Sequence, residues 1–379
     1  MTQALSRTVT MLAALAFVQP ASAAVLAMGE HGHLAVIADD QAIDIGQLPA
    51  PLASVRFDPA GRQAVLATED GHAVRIDLAA GRIVGQVRLR GRPAGLAASG
   101  DGDLVVVATL APPSLSILAM ADLTERHSIP LRIEGGHTPT PAAVLALPAR
   151  KSFLVGFSDL AEVWEIPLGD NPPHRGWVHD YRNDGPPAAV PRFLPRRMPL
   201  PDVMTEIVAL PDGEHLLGLG PGASVARGLD LYIGRVFAAV ALKGQYAAGK
   251  ALAAGAELVA IPIVEPAAIA LVSAVDWRLV GQMPLSRPGG RLLAHPQPGH
   301  AIAIAGDRIE VLDLARRRVV AAATPRPGRA LGAAALDRSG GRIMVALTAA
   351  DEVLALDPAS LSVTARIAIR APTGLHAPE

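Results

Sequence analysis

The side chains best suited to chemistry in this sequence are a few histidines and one pair of arginines. His295, in Ala294-His295-Pro296, directly follows an apolar stretch. A neutral imidazole there could ligate a metal, and a hydrogen-bonded turn histidine is an equal reading of the same residue. His179-Asp180 sets an imidazole beside a carboxylate. An acceptor at one ring nitrogen would leave the other as a ligand, although neighbours in a loop seldom achieve that pairing. Arg196-Arg197, closing Phe193-Leu194-Pro195-Arg196-Arg197, could clamp carboxylates through paired hydrogen bonds, or could simply be solvated. His31-Gly32-His33 could take up metal adventitiously, but lies where a chain end frays. The sequence contains no Gly-x-Ser-x-Gly, no His-Glu-x-x-His and no Gly-x-x-x-x-Gly-Lys followed by Ser or Thr (Gly244 to Lys250 runs into Ala251), so it nominates no catalytic residue.

The elements that must position these groups follow from a repeat of about forty residues, each copy reading as four short strands. One copy runs Ala53-Ser54-Val55-Arg56-Phe57, turns at Pro59-Ala60-Gly61, continues Ala64-Val65-Leu66-Ala67, then Val74-Arg75-Ile76-Asp77-Leu78 and Ile83-Val84-Gly85-Gln86-Val87. Such a unit cannot bury both faces alone, so the period predicts an all-β fold, a β-propeller of stacked four-stranded blades. Recognisable units span 50–90, 91–132, 140–169, 203–242, 249–285, 289–324 and 329–369. Leu34-Ala35-Val36-Ile37 and Ala42-Ile43-Asp44-Ile45 offer strands for an eighth, with the C-terminal tail beside them. Eight blades are expected, with seven the alternative. Asp44, Asp77, Asp230, Asp313 and Asp357 recur at strand ends, and Gly213, Gly255 and Gly340 at turns, where local hydrogen bonding and glycine's freedom explain them without a ligand. A Pro- and Arg-rich insertion at about 170–202 breaks the rhythm, and its prolines argue against a regular strand there.

Composition narrows the function classes. Residues 1–23 read as a signal peptide: Arg7, an apolar run from Met11 to Val18 too short to span a bilayer, then Pro20-Ala21-Ser22-Ala23 before a cleavage site at Ala24. Residues 24–379 are then a single propeller domain, exported to the periplasm, with no later segment suited to membrane insertion. The chain has no cysteine, which excludes disulfides, a lipidated N-terminal cysteine and a covalently attached c-type haem. A net charge of −1 offers no long-range attraction for nucleic acid, and aromatics at 3% leave few stacking platforms for bases.

Several motifs, in order, resemble the d1-haem propeller of cytochrome cd1 nitrite reductase and its relatives, nearest in type the NirF proteins of haem d1 formation. They include Val275-Asp276-Trp277, Arg278-Leu279-Val280-Gly281-Gln282-Met283-Pro284 and Pro288-Gly289-Gly290 followed by Ala294-His295-Pro296. Pro327-Gly328-Arg329, Pro372-Thr373-Gly374, Glu162-Val163-Trp164 and the Pro195-Arg196-Arg197 element are similar as well. The resemblance implies a periplasmic protein of haem d1 maturation that binds haem d1 or its precursor, with a tetrapyrrole or another maturation protein as partner. On it, His295 becomes an iron ligand, His179 a second contact, and Arg196 and Arg197 clamps for the macrocycle's carboxylates. Three positions where the family places histidines hold Leu52, Ala247 and Ala333 instead. The alternative is therefore a propeller that has lost the haem site, carries no cofactor and serves as a scaffold for protein partners.

Overall fold

Each blade begins with a strand of small and apolar residues, continues through two strands buried on both faces, and ends on one that alternates. The sequence dictates this division. Ser152–Phe157 and Ala268–Ser273 are buried at every position, as unbroken apolar runs must be when sheets cover both their faces. Arg235–Ala241, by contrast, alternates between exposed and covered residues, as an edge strand facing water should. In this computed structural model, which describes residues 25–170, 191–246, 251–287, 291–337 and 341–378, eight four-stranded antiparallel sheets form one propeller.

In chain order the blades span 52–88, 93–130, 141–199, 206–241, 252–284, 291–323 and 334–368. The eighth combines Gly374–His376 with Val25–Met28, His33–Ala38 and Gln41–Gln47. Successive first strands touch one another from Leu52–Phe57 round to Gly374–His376, so they line the axis, and the outer strands Gln41–Gln47 and Arg82–Arg88 meet where the ring shuts. The eighth blade joins the two ends of the described chain. Val25–Met28 pairs with His33–Ala38 on one side and with Gly374–His376 on the other, in the register Leu26 to His376 and Met28 to Gly374. Full closure leaves no inner sheet edge open.

Turn chemistry is as the sequence predicts. Asp77, Asp230, Asp313 and Asp357 each accept a backbone N–H three residues on, from Ala80, Ile233, Arg316 and Ser360 respectively, whereas Asp44, expected at a strand end, lies inside the strand Gln41–Gln47 and accepts from Gly46 N where the ladder shifts register. Trp277 sits in such a turn of the fifth blade and packs across to the fourth, its ring 4.8 Å from that of Phe237.

The insertion departs from expectation. Its end, Arg196–Pro199, is a strand, the outermost of the third blade, paired with Glu162–Pro167. Charge pairing overrides the local proline density. Arg196 lies opposite Glu165 in the ladder and Arg197 opposite Trp164, from where it reaches along the partner strand to Glu162, so each guanidinium meets a carboxylate of that strand. Residues 171–190, with His174, His179 and Asp180, and residues 1–24, with the expected signal peptide, lie outside the described residues.

Glu165 is fully buried and holds the joint between the third and fourth blades. It accepts from Arg150 Nε at 2.7 Å and from Ser152 Oγ at 3.0 Å, with Arg196 at 3.6 Å. Arg196 in turn donates to the carbonyls of Leu231 at 2.6 Å and Tyr232 at 3.2 Å in the next blade. Truncation of one partner strands the other's charge in a dry interior. Glu165→Ala is expected to destabilise the protein by about 3–5 kcal/mol, measured by urea unfolding, with Glu165→Gln costing less because its amide still accepts.

Candidate functional site in the central channel

Three side chains from three different blades converge on the channel. Arg56 lies on the inner strand Leu52–Phe57 of the first blade, Arg291 opens the inner strand Arg291–Ala294 of the sixth, and His376 ends the inner strand Gly374–His376 of the eighth. Burial, reinforced by the positive charges of Arg56 and Arg291, pushes the His376 imidazolium down to about 4. The seventh blade separates the sixth from the eighth, and Arg291 reaches onto its entry at Gly332 O, so its charge acts on His376 from two blades away.

Neither arginine has a carboxylate partner among the described residues. Arg56 donates to its neighbour's carbonyl, Val55 O, at 2.7 Å, and Arg291 donates to Gly332 O at 3.3 Å. Elsewhere guanidinium–carboxylate pairs are common, as in Arg90–Glu125, Arg287–Asp307 and Arg326–Glu352. Two guanidiniums without carboxylates and one neutral imidazole suit an anionic ligand carrying several carboxylates and a metal that accepts nitrogen. The His376 ring makes no hydrogen bond to the described residues, and it lies back along the strand over Gly374. A Cβ at position 374 would sit 3.2 Å from His376 Nε2 and 3.4 Å from Met28 Cβ, so the glycine leaves the space that the ring occupies.

The residues singled out in the sequence fall elsewhere. His295 follows the inner strand of the sixth blade at the end opposite Arg291, in the turn before His300–Ala305. Its Nδ1 accepts from Gln297 N at 3.0 Å and its Nε2 donates to Pro358 O at 3.3 Å, which is the hydrogen-bonded turn geometry. Arg196 and Arg197 lie on an outer strand, away from the inner strands that line the channel. Arg197 binds Glu162 through two hydrogen bonds at 2.7 and 2.8 Å, and its guanidinium lies 5.4 Å from the Trp164 ring. That pairing holds the Glu162 carboxyl below the usual range and raises Arg197. The structure does not bring His295, Arg196 and Arg197 together. No group of three or more metal-ligating side chains is arranged to hold an ion among the described residues.

Leu52 and Ala333 do stand where inner strands begin, in the first and seventh blades, and Ala247 lies outside the described residues. Sequence reasoning passed over Arg56, Arg291 and His376, though each sits in or beside a motif quoted for other reasons. A single charged residue inside an otherwise apolar inner strand was the available signal for Arg56.

Comparison with known proteins agrees with this architecture. A family profile described as "Cytochrome D1 heme domain" matches residues 19–184. The dihydro-heme d1 dehydrogenase of Pseudomonas aeruginosa is 25% identical over 364 residues, covering 93% of this chain and 70% of that protein. The resemblance to the d1-haem propellers holds. Among solved structures, the dihydro-heme d1 dehydrogenase NirN in complex with DHE superposes with a TM-score of 0.79 at 23% identity, over 95% of this chain and 76% of that one. BamB from Moraxella catarrhalis superposes at 0.61 with 15% identity, over 86% and 91%. At these identities the superpositions show the fold, an eight-bladed propeller. The curated relative is a dihydro-heme d1 dehydrogenase, so the narrower likeness to NirF-type proteins is not what these matches single out.

The depressed His376 value has a testable consequence. An imidazole that stays neutral in the folded chain while the unfolded chain takes up a proton makes no contribution above its ordinary value of 6.5; stability is lost as pH falls from there towards about 4. His376→Gln is expected to flatten that part of the acid limb. Urea midpoints recorded at about pH 7 and about pH 5 should differ less in the variant than in the parent protein.

Proposed function

We propose that this chain is a periplasmic protein of haem d1 maturation that binds haem d1, or its dihydro precursor, in the central channel and holds it for delivery or for its final oxidation. The observation that carries the reading is the pair of channel arginines without carboxylate partners, Arg56 and Arg291, set on inner strands of a d1-type propeller. Haem d1 is a macrocycle with several carboxylates, and charge-assisted hydrogen bonds to guanidinium are the strong, geometrically selective way to hold such groups. The similarity to a dihydro-heme d1 dehydrogenase over nearly the whole chain supports the same ligand class. Binding and delivery need no further reactant. Oxidation of a dihydro precursor withdraws two electrons and two protons and so needs an external electron acceptor, such as a one-electron carrier protein.

Titration of the purified protein with haem d1 is expected to shift the pigment's visible spectrum with saturation at one site. Each charge-assisted hydrogen bond contributes about 1.5–3 kcal/mol, so Arg56→Ala and Arg291→Ala should each weaken binding about tenfold to a hundredfold, whereas Arg197→Ala, on the outer strand, should not. Absence of any shift at micromolar pigment would favour a scaffold that has lost the site.

Export through the N-terminal segment supports the periplasmic setting, since Met11 to Val18 is apolar and Ala21-Ser22-Ala23 suits cleavage. N-terminal sequencing of the protein from a periplasmic extract is expected to read from Ala24. A chain beginning at Met1 in the cytosolic fraction would contradict it. Among the described residues no helix is long and apolar enough to cross a membrane.

A further inference from the structure

We infer that the outer rim of the fourth, fifth and sixth blades is a docking surface for an anionic phospholipid membrane, against which the propeller lies peripherally. The inference is independent of the channel reading above. It begins with where the exposed apolar side chains are. Of the eight large apolar side chains exposed among the described residues, five fall in this one sector: Ile233, Phe237, Val275, Val319 and Val320. Each lies in a turn between third and fourth strands or near the start of a fourth strand, and those turns share one face of the ring because every blade repeats the same order. Ile233 and Val275 stand in the turns themselves, Val275 at 67% exposure. The corresponding turns of the first, second, seventh and eighth blades carry Ala79-Ala80-Gly81, Ala121-Asp122, Ala359-Ser360 and Asp39-Asp40. The apolar rim is therefore a local feature and not a by-product of the repeat.

Packing joins these residues into one surface. Trp277, half-buried, meets Phe237 edge-on and lies so close over the fourth blade that a Cβ at Gly228 would stand 2.6 Å from its ring. Arg317 reaches in the same way from the sixth blade onto the fifth, over Gly281 and to Val280 O at 3.4 Å. Cations are interleaved with the apolar groups. Arg278 and Arg316 pair with Asp276 and Asp313. The side chains of Arg235 and Arg318 bind no described residue, and that of Arg317 has only the Val280 carbonyl. Three guanidiniums without carboxylates call for an anionic partner. The order along the chain says which kind. Ile233 precedes Arg235 by two residues and Val275 precedes Arg278 by three, so apolar tips lead and charges stand behind them, with the pair Phe237 and Trp277 alongside. A bilayer offers the complementary order of depth, with phosphates at the surface, acyl chains beneath and aromatic rings favoured between. Tips that protrude from separate turns suit a deformable surface better than the closely packed core of a protein interface.

The test uses three probes on the intact protein: vesicles of phosphatidylethanolamine with phosphatidylglycerol, vesicles of phosphatidylcholine, and labelled polyglutamate. Vesicle binding is read by co-sedimentation and polyglutamate binding by fluorescence anisotropy. The parent protein is expected to sediment with the anionic vesicles, less so as salt is raised, and not with phosphatidylcholine. Each guanidinium near such a surface is worth about fivefold in binding, so Arg235→Gln with Arg318→Gln should weaken it about twenty-fivefold. Ile233→Asp with Val275→Asp should weaken it at least as much while leaving the urea midpoint unchanged, because both side chains are exposed. Brominated acyl chains should quench tryptophan emission in the parent and not in Trp277→Phe. Failure to sediment with anionic vesicles, binding indifferent to both double variants, or quenching that survives Trp277→Phe would each overturn the inference. Binding of polyglutamate without binding of vesicles would put an acidic protein surface in place of lipid and overturn it as well. None of these outcomes bears on the channel.

Discussion

The structure depends on one antiparallel pairing, that of Val25–Met28 with Gly374–His376. Seven blades are each made from one continuous stretch of chain, and their contacts are between neighbours. The eighth exists only if the first and last described strands meet, with Thr373 N donating to Met28 O at 2.7 Å and Arg342 of the seventh blade pairing with Asp40 of the eighth. Without this closure the row of blades would expose two sheet faces and two open edges, and the channel would not be enclosed. The closing strand also carries His376, so what shuts the ring also furnishes the channel.

Charge is distributed accordingly. Around most outer strands and blade joints, guanidiniums are matched to carboxylates: Arg197 to Glu162, Arg227 to Asp202, Arg326 and Arg366 to Glu352. These pairs hold blades in register and have little left to offer a ligand. In the channel the match is withheld at Arg56 and Arg291, which settle for backbone carbonyls. A net charge of −1 conceals this arrangement, because overall charge averages a largely matched rim with an unmatched centre.

Much of the fold was legible because blade formation is local. The apolar runs, the aspartates that close third-to-fourth strand turns and the terminal strands of the eighth blade all follow from patterns within a few dozen residues. Two things were not legible for the same reason. Arg196-Arg197 reads as loop because its prolines are near in sequence, whereas the carboxylates that make it a strand, Glu162 and Glu165, lie across the insertion. His376 reads as part of a tail because the motif beside it, Pro372-Thr373-Gly374, carries no chemistry of its own; only the closure of the ring brings it within the influence of Arg56, from the far end of the described chain. His295 illustrates the converse, since it stands in the most suggestive local motif and both its ring nitrogens are taken up by backbone groups nearby in the fold.

The pairing that shuts the ring is also its clasp. Three matched positions, Leu26 with His376, Ala27 with Leu375 and Met28 with Gly374, join strands from opposite ends of the described chain, whereas the inner strand of every other blade runs into its neighbour through a turn. The eighth inner strand is held to its own blade by hydrogen bonds and packing alone, so separating it would open the ring while leaving the other seven sheets whole.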